Sequence, residues 1–338
     1  MKRKTLCRVV GDLIASLFKI SHLKVQISIP LPRVIMLGIW TLFTVWVGSV
    51  YVVLATLLAL VFLPLTRPYV LAFAVAYYGS RLVMPLRRSQ YVCEWFVWAN
   101  SPAYFAKQEV VREDTEPVAK QSKTMFAFHP HGVLCCGWSV NGAMNASWLD
   151  LKISWLAADV LFKLPFVSHV LSWGGSDTAA KPNFERLMKQ GDNIALLPGG
   201  FEEATLFAKG EHRVYIKKRA GFIKYGLQCG YTVYPVYTFG EEETFYAVSW
   251  FLPLRLWLNR FQVPGVIPFG TWWCSYMPLR SAKLTTVVGK PIKLPRIDAP
   301  TREDVAKYHQ VYMDALQGVF DRNKAKYATD PEATLHMY

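Results

Sequence analysis

No charged side chain occurs between Arg33 and Arg67. About 20 apolar residues are enough for a helix to cross the hydrocarbon core of a bilayer. The run is therefore too long for one untilted pass and short for two full ones. Lys2, Arg3, Lys4, Arg8, Lys19 and Lys24 precede it, and Arg81, Arg87 and Arg88 follow it. Lysine and arginine mark the cytosolic ends of membrane segments, and here both flanks qualify. The expectation is a membrane-embedded helical hairpin within residues 33–88, bending at Gly48-Ser49. Pro64 and Pro68 interrupt its exit, and the uncharged stretch from Pro68 to Ser80 suits the membrane interface. The length disfavours the alternative, a buried core hairpin of a soluble protein.

The first 32 residues read as a basic amphipathic lead-in. Arg8 and Asp12 break the unbroken apolar core that a cleaved signal peptide needs. Hydrophobic residues make up 52% of the chain and charged ones 18%, more apolar than a typical soluble domain. The excess sits near the N-terminus, which implies a globular domain on a membrane anchor. The net charge of +14 calls for an acidic partner, either anionic lipid headgroups or the phosphates of a nucleotide-like cosubstrate. No nucleic-acid fold signature is present, so nucleic acid is not an expected partner. Six cysteines without a CxxC pair read as reduced thiols on the cytosolic side.

Residues 89–338 alternate between strand-like and helix-like patterns. A polar stretch from Val110 to Lys123 reads as a linker or surface loop. Met125 to His129 and Ile194 to Leu197 are apolar strands, and Tyr231 to Phe239 and Lys283 to Val288 are β-rich. Ile153 to Phe162 has helical spacing. Pro182 opens a helix that Gly191 closes, and Lys217 to Gln228 reads as another. Thr301 with Asp304 forms a capping pair ahead of a long helix whose Val305, Tyr308, Tyr312, Ala315, Leu316 and Val319 share a face. The fold class is α/β, a mixed sheet flanked by helices. Trp250 to Ile267 is either a core segment or a second membrane-contacting surface.

The chemistry concentrates in two turns. Phe126-Ala127-Phe128-His129-Pro130-His131-Gly132 is a strand running into a tight turn, where an open α/β sheet presents reactive groups. Some seventy residues on, Pro198-Gly199-Gly200-Phe201-Glu202-Glu203 repeats the device. His131, against the glycine, is the candidate general base, and His129 its structural or hydrogen-bonding neighbour. Glu202 or Glu203 could supply the acceptor that orients an imidazole. The amides of Gly132, Gly199 and Gly200 are oxyanion candidates. Lys217, Lys218, Arg219 and Lys224 gather cations near a helix start, which favours phosphate. Other readings are a metal held by His129, His131 and Glu203, a thiolate at Cys135 or Cys136, and a membrane-shaping protein without chemistry.

These motifs resemble the type-2 diacylglycerol acyltransferase family, which includes monoacylglycerol and wax-alcohol acyltransferases. The resemblance runs over roughly residues 90 to 328. It includes His129-Pro130-His131-Gly132, Pro198-Gly199-Gly200 with Glu203, and Arg219-x-Gly221-Phe222-x-Lys224. Val233-x-Pro235-Val236-x-x-Phe239-Gly240-Glu241, Thr285-Thr286-Val287-Val288-Gly289 and Tyr308-His309-x-x-Tyr312 also match. It implies a glycerolipid acyltransferase-like fold and esterification of diacylglycerol to triacylglycerol, with acyl-CoA as cosubstrate and no further cofactor. Membrane lipid is then a partner, and the setting is the endoplasmic reticulum membrane, domain facing the cytosol, or a lipid droplet surface. Homo-oligomerisation stays open. Related glycerolipid enzymes carry an aspartate five positions after the histidine, where this chain has Cys136, so the orienting role falls to Glu203. Ala106 and Ala179-Ala180-Lys181 also depart from the family pattern.

Overall fold

A computed structural model describes residues 37–338, apart from 101–103, 116–117, 119–121, 249 and 263. The amphipathic lead-in of residues 1–32 lies outside the described residues. The first helix, α1 (Leu37–Phe62), runs straight through Gly48-Ser49. The bend expected there is not formed, because Ser49 has another use. Its buried hydroxyl donates to the Pro165 carbonyl (2.6 Å) and accepts from the Val167 N–H (3.2 Å). The chain turns instead at Pro64–Thr66, where a proline stops the helix, and α2 (Arg67–Val83) follows. Tyr78 and Arg81 donate to the carbonyls of Lys163 and Phe162 (3.0 and 2.9 Å), so both helices grip the same loop. Gly38–Phe62 is long and apolar enough to cross a membrane. Beyond Ser49, Val50, Val52, Leu54, Leu57, Leu58, Val61 and Phe62 are exposed, as are Leu71, Phe73 and Val75 of α2.

After α3 (Gln90–Ala99) come β1 (Lys107–Arg112), β2 (Thr124–His129), β3 (Ser154–Ala157) and β4 (Ser176–Thr178). Next are α4 (Lys181–Gln190), β5 (Ile194–Leu196), α5 (Gly200–Thr205), β6 (His212–Val214), α6 (Gly221–Cys229) and β7 (Thr232–Phe239). The chain ends with β8 (Tyr246–Ala247), α7 (Leu252–Leu258), β9 (Pro268–Phe269), β10 (Lys283–Val288), β11 (Ile292–Lys293), α8 (Arg302–Tyr327) and β12 (Leu335–Met337). Among the described residues the main sheet has the order β1-β10-β7-β2-β5-β3-β4, with β11 also on β7. β10 and β11 run antiparallel to β7, while the β7-β2-β5-β3-β4 half is parallel. The sheet is mixed, as the sequence leads one to expect.

Every residue of β2 is buried, which accounts for its unbroken apolar pattern: both faces are covered. On one face Ile223 and Leu227 of α6 pack with Tyr312, Leu316 and Phe320 of α8 against Met125, Ala127 and Val233. The other face holds Phe126, Phe128, Trp148 and Trp155. Thr301 and Asp304 form the expected reciprocal cap of α8.

Three expectations change. Ser154–Ala157 is a strand between β5 and β4, and the expected helix is formed only from Asp159 on, as the short helix Asp159–Lys163. Trp155 and Leu156 are buried there by sheet neighbours, which overrides local spacing. The supposed linker begins inside β1, which pairs in parallel with β10. Lys217 to Ala220 form a loop, and α6 starts only at Gly221. Trp250 to Ile267 is not a core segment: Trp250, Phe251, Leu254, Trp257 and Phe261 are exposed, while Arg255 is buried.

Candidate active site

β7, β2 and β5 lie side by side and parallel, and each leads at its carboxyl end into a site residue. β2 leads into His129-Pro130-His131-Gly132, β5 into Pro198 to Glu203, and β7 into Gly240-Glu241. This is the edge at which open α/β sheets bind ligands.

Glu203 is buried and is the hub. Its carboxylate accepts from the His131 N–H (2.6 Å) and the Tyr215 N–H (2.8 Å). It also accepts from His129 Nδ1, at 3.1 and 3.2 Å to its two oxygens. His129 Nε2 lies 3.1 Å from the Tyr312 hydroxyl, which is also 3.4 Å from the Ala127 carbonyl. Both nitrogens of His129 are therefore engaged, and its ring is wholly buried. Gly199 packs so close that a Cβ there would fall on the Glu203 carboxylate.

The expected link between Glu203 and the His131 ring is not made. Glu203 holds the backbone of His131, and the ring is held by its neighbour: Nδ1 donates to the Gly132 carbonyl (3.0 Å). Nε2 has no hydrogen-bond partner among the described residues and is left with its lone pair free. The side chain is partly exposed. Loss of water lowers the imidazole pKa from its usual value, outweighing the upward pull of the Gly132 carbonyl and of Glu203. The neutral, proton-accepting form is favoured at neutral pH.

Of the oxyanion candidates, Gly200 already donates its N–H to the Leu197 carbonyl (3.2 Å), whereas the N–H groups of Gly132 and Gly199 have no partner among the described residues. Gly132 has φ +60°, and a Cβ there would strike the Glu241 carboxylate. Gly132→Ala should therefore cost at least about 1–2 kcal/mol for the left-handed backbone alone. Thermal unfolding of the variant checks this, and an unchanged melting temperature would mean the turn is looser than the geometry requires.

Glu241 was not singled out as a site residue by sequence reasoning. It is buried, and its oxygens accept from the N–H groups of Cys136 (3.0 Å) and Gly137 (2.6 Å). Burial raises its pKa to about 8, against the lowering effect of those amides. It fastens the segment just after the histidine turn. Its signal in the sequence is the Gly-Glu at the end of an apolar strand. Burial drives the Cys135 and Cys136 thiols up, which makes a thiolate there unfavourable.

Glu202 pairs with Arg219, whose guanidinium also lies over the Tyr215 ring. Lys217, Lys218 and Lys224 are exposed around the start of α6, whose first turn carries no acidic residue and no side-chain cap. Of the predicted cations, Arg219 is the one seen to touch the Gly-rich turn among the described residues, through Glu202. Among the described residues no cluster of three or more His, Cys, Asp or Glu is arranged to hold a metal ion.

The class so far is an α/β protein whose His131 ring nitrogen Nε2 has no partner among the described residues, on a turn held by Glu203. Comparison with known proteins narrows the class. The family model described as diacylglycerol acyltransferase matches residues 57–338. Diacylglycerol O-acyltransferase 2 of Dictyostelium discoideum is 32% identical over 265 residues, covering 73% of this chain and 77% of that protein. The human protein of the same name is 30% identical over 278 residues, covering 74% and 69%. The crystal structure of a 1-acyl-sn-glycerophosphate acyltransferase from Thermotoga maritima is 14% identical, with a TM-score of 0.46, covering 88% and 96%. The chain belongs to the diacylglycerol acyltransferase family, and it is an acyltransferase.

Proposed function

We propose that the chain transfers the acyl group of an acyl-CoA to the free hydroxyl of a diacylglycerol, releasing triacylglycerol and CoA. The observation that carries this is the free Nε2 of His131 on a turn locked by Glu203. His131 Nε2 takes the hydroxyl proton as the oxygen attacks the thioester carbonyl. The oxyanion of the tetrahedral intermediate accepts from the N–H groups of Gly132 and Gly199. The C–S bond then breaks, and the imidazolium returns its proton to the departing thiolate. Glu203 is a positioning residue that acts through the His131 backbone, and His129 braces Glu203.

Lys217, Lys218 and Lys224, with Arg219 and the α6 N-terminus, meet the CoA phosphates. A metal-dependent hydrolase is less well supported, since both His129 nitrogens are already bonded. The lipid acceptor arrives through the membrane. There α1 and α2 form a re-entrant hairpin with its apex at Pro64–Thr66, both ends on the cytosolic face of the endoplasmic reticulum or at a lipid droplet.

Membranes carrying the protein, given labelled acyl-CoA and diacylglycerol, should form labelled triacylglycerol on separation of the neutral lipids. Product only from monoacylglycerol or a long-chain alcohol would move the acceptor, and free fatty acid alone would overturn the reading. The pH profile is a second check. Protonation silences the base, so activity should fall on the acid side along a one-proton limb with its midpoint below 6.5, the ordinary imidazole value, and stay level around neutrality. A midpoint above 6.5 would contradict the assignment.

A further inference from the structure

The exposed aromatic ledge built on α7 has no role in the chemistry above. Trp250 and Phe251 are 73% and 74% exposed, and Leu254, Trp257 and Phe261 also point outward. One polar side chain in the segment is turned the other way. Arg255 is buried, and its guanidinium donates to the carbonyls of Trp250 (2.9 Å), Gly265 (3.2 Å) and Thr205 (3.4 Å). The cation is used as a rivet, and the apolar groups are left in solvent. That inverts the usual arrangement of a surface helix.

The ledge is fastened to the active site. The Thr205 hydroxyl, at the end of the helix that carries Glu203, meets Asn259 Oδ1 (2.9 Å) and accepts from the Gly265 N–H (3.0 Å). Val133, two residues past His131, is buried against Phe207 and Phe245, with Ala247 and Val266 packed on them. On its other side the ledge continues toward the membrane helix. Phe269 follows in β9, then Trp272, 96% exposed, and Trp273, which stacks on Trp40 of α1 with ring centroids 5.1 Å apart. Along the chain, exposed apolar side chains thus lead from the flank of the catalytic turn to the Trp273 contact with α1.

We propose that this ledge is a second membrane foot, seated in the interfacial layer of the bilayer that α1 enters. Continuity with α1 favours lipid as the occupant. The chemistry agrees: tryptophan and other aromatic rings concentrate at the headgroup level, and exposed Arg260 at the rim suits lipid phosphate. Two feet, one on α1 and one riveted to the Glu203 helix, fix the height and tilt of His131 above the lipid. The inference rests on the membrane insertion of α1 proposed above, but not on acyl transfer.

The test is photocrosslinking of the full-length protein in phosphatidylcholine vesicles, with benzoylphenylalanine in place of Leu254 or Trp257. As control it replaces exposed Asp298, near the amino end of β7. Labelled lipid should attach at 254 and 257 and not at 298. Attachment only to a second copy of the chain, or no lipid label, would overturn the proposal. A second arm measures F251D/L254D/W257D on two acceptors. The KM for long-chain diacylglycerol in vesicles should rise several-fold, with turnover of water-dispersed dioctanoylglycerol unchanged. Equal losses on both acceptors in a normally melting variant would also count against the foot; if the variant melts early, the crosslinks alone decide. A protein that crosslinks to lipid but transfers no acyl group would refute the catalytic reading and leave this one standing.

Discussion

His131→Ala should lower acyl transfer by about 10²–10⁴-fold, the usual contribution of a positioned general base, while leaving the protein in the membrane and its melting temperature nearly unchanged. The separation of the two effects follows from the geometry. The ring is partly exposed, and among the described residues its Nε2 has no partner and its Nδ1 bonds only to the adjacent Gly132 carbonyl. A hydrogen bond of that kind contributes about 0.5–1.5 kcal/mol, small beside the lost chemistry. The measurement is initial rate at saturating acyl-CoA together with thermal unfolding of the same preparation. A variant that keeps full activity would remove His131 from the mechanism, and one that unfolds would make it a structural residue.

Glu203→Ala should do the opposite and damage the fold as much as the chemistry. Its carboxylate is the acceptor for two backbone N–H groups and the His129 ring. A buried donor left without an acceptor costs about 1–3 kcal/mol, so the two amides alone amount to about 2–6 kcal/mol. That is a large part of the 5–15 kcal/mol that holds a typical domain together. The variant is expected to melt much lower and to give little folded protein. Glu203→Gln keeps the shape and one acceptor oxygen but turns an N–H₂ group toward a donor, and should fall between wild type and alanine in both readouts. An alanine variant that melts normally would show that the turn is held by something other than this carboxylate.

The histidine turn and the Gly-rich turn are legible in the sequence because each is a local pattern: an apolar strand, a proline, then a glycine. The same holds for the cap at Thr301 and Asp304 and for the helix ended by Gly191. What local pattern cannot convey is which groups meet. Glu203 is assigned by proximity to the wrong imidazole, since its partners, His129, the His131 amide and Tyr215, come together only when β2 and β5 pair. Glu241 escapes notice because its work is done on the amides of Cys136 and Gly137, more than a hundred residues earlier. The strand at Ser154–Ala157 is misread as helix because sheet neighbours, not spacing, bury Trp155. The turn at Gly48-Ser49 is misjudged because a serine that looks like a hinge is satisfied by a distant loop.

The pairing of β12 with β6 has a practical consequence. The Tyr338 oxygen accepts from the N–H groups of Ile216 (3.0 Å) and Lys217 (2.8 Å), immediately before Lys218 and Arg219. The tail is thus a mechanical linkage to the loop that carries the cations. A substitution that loosens β12 from β6 would therefore release the loop as well.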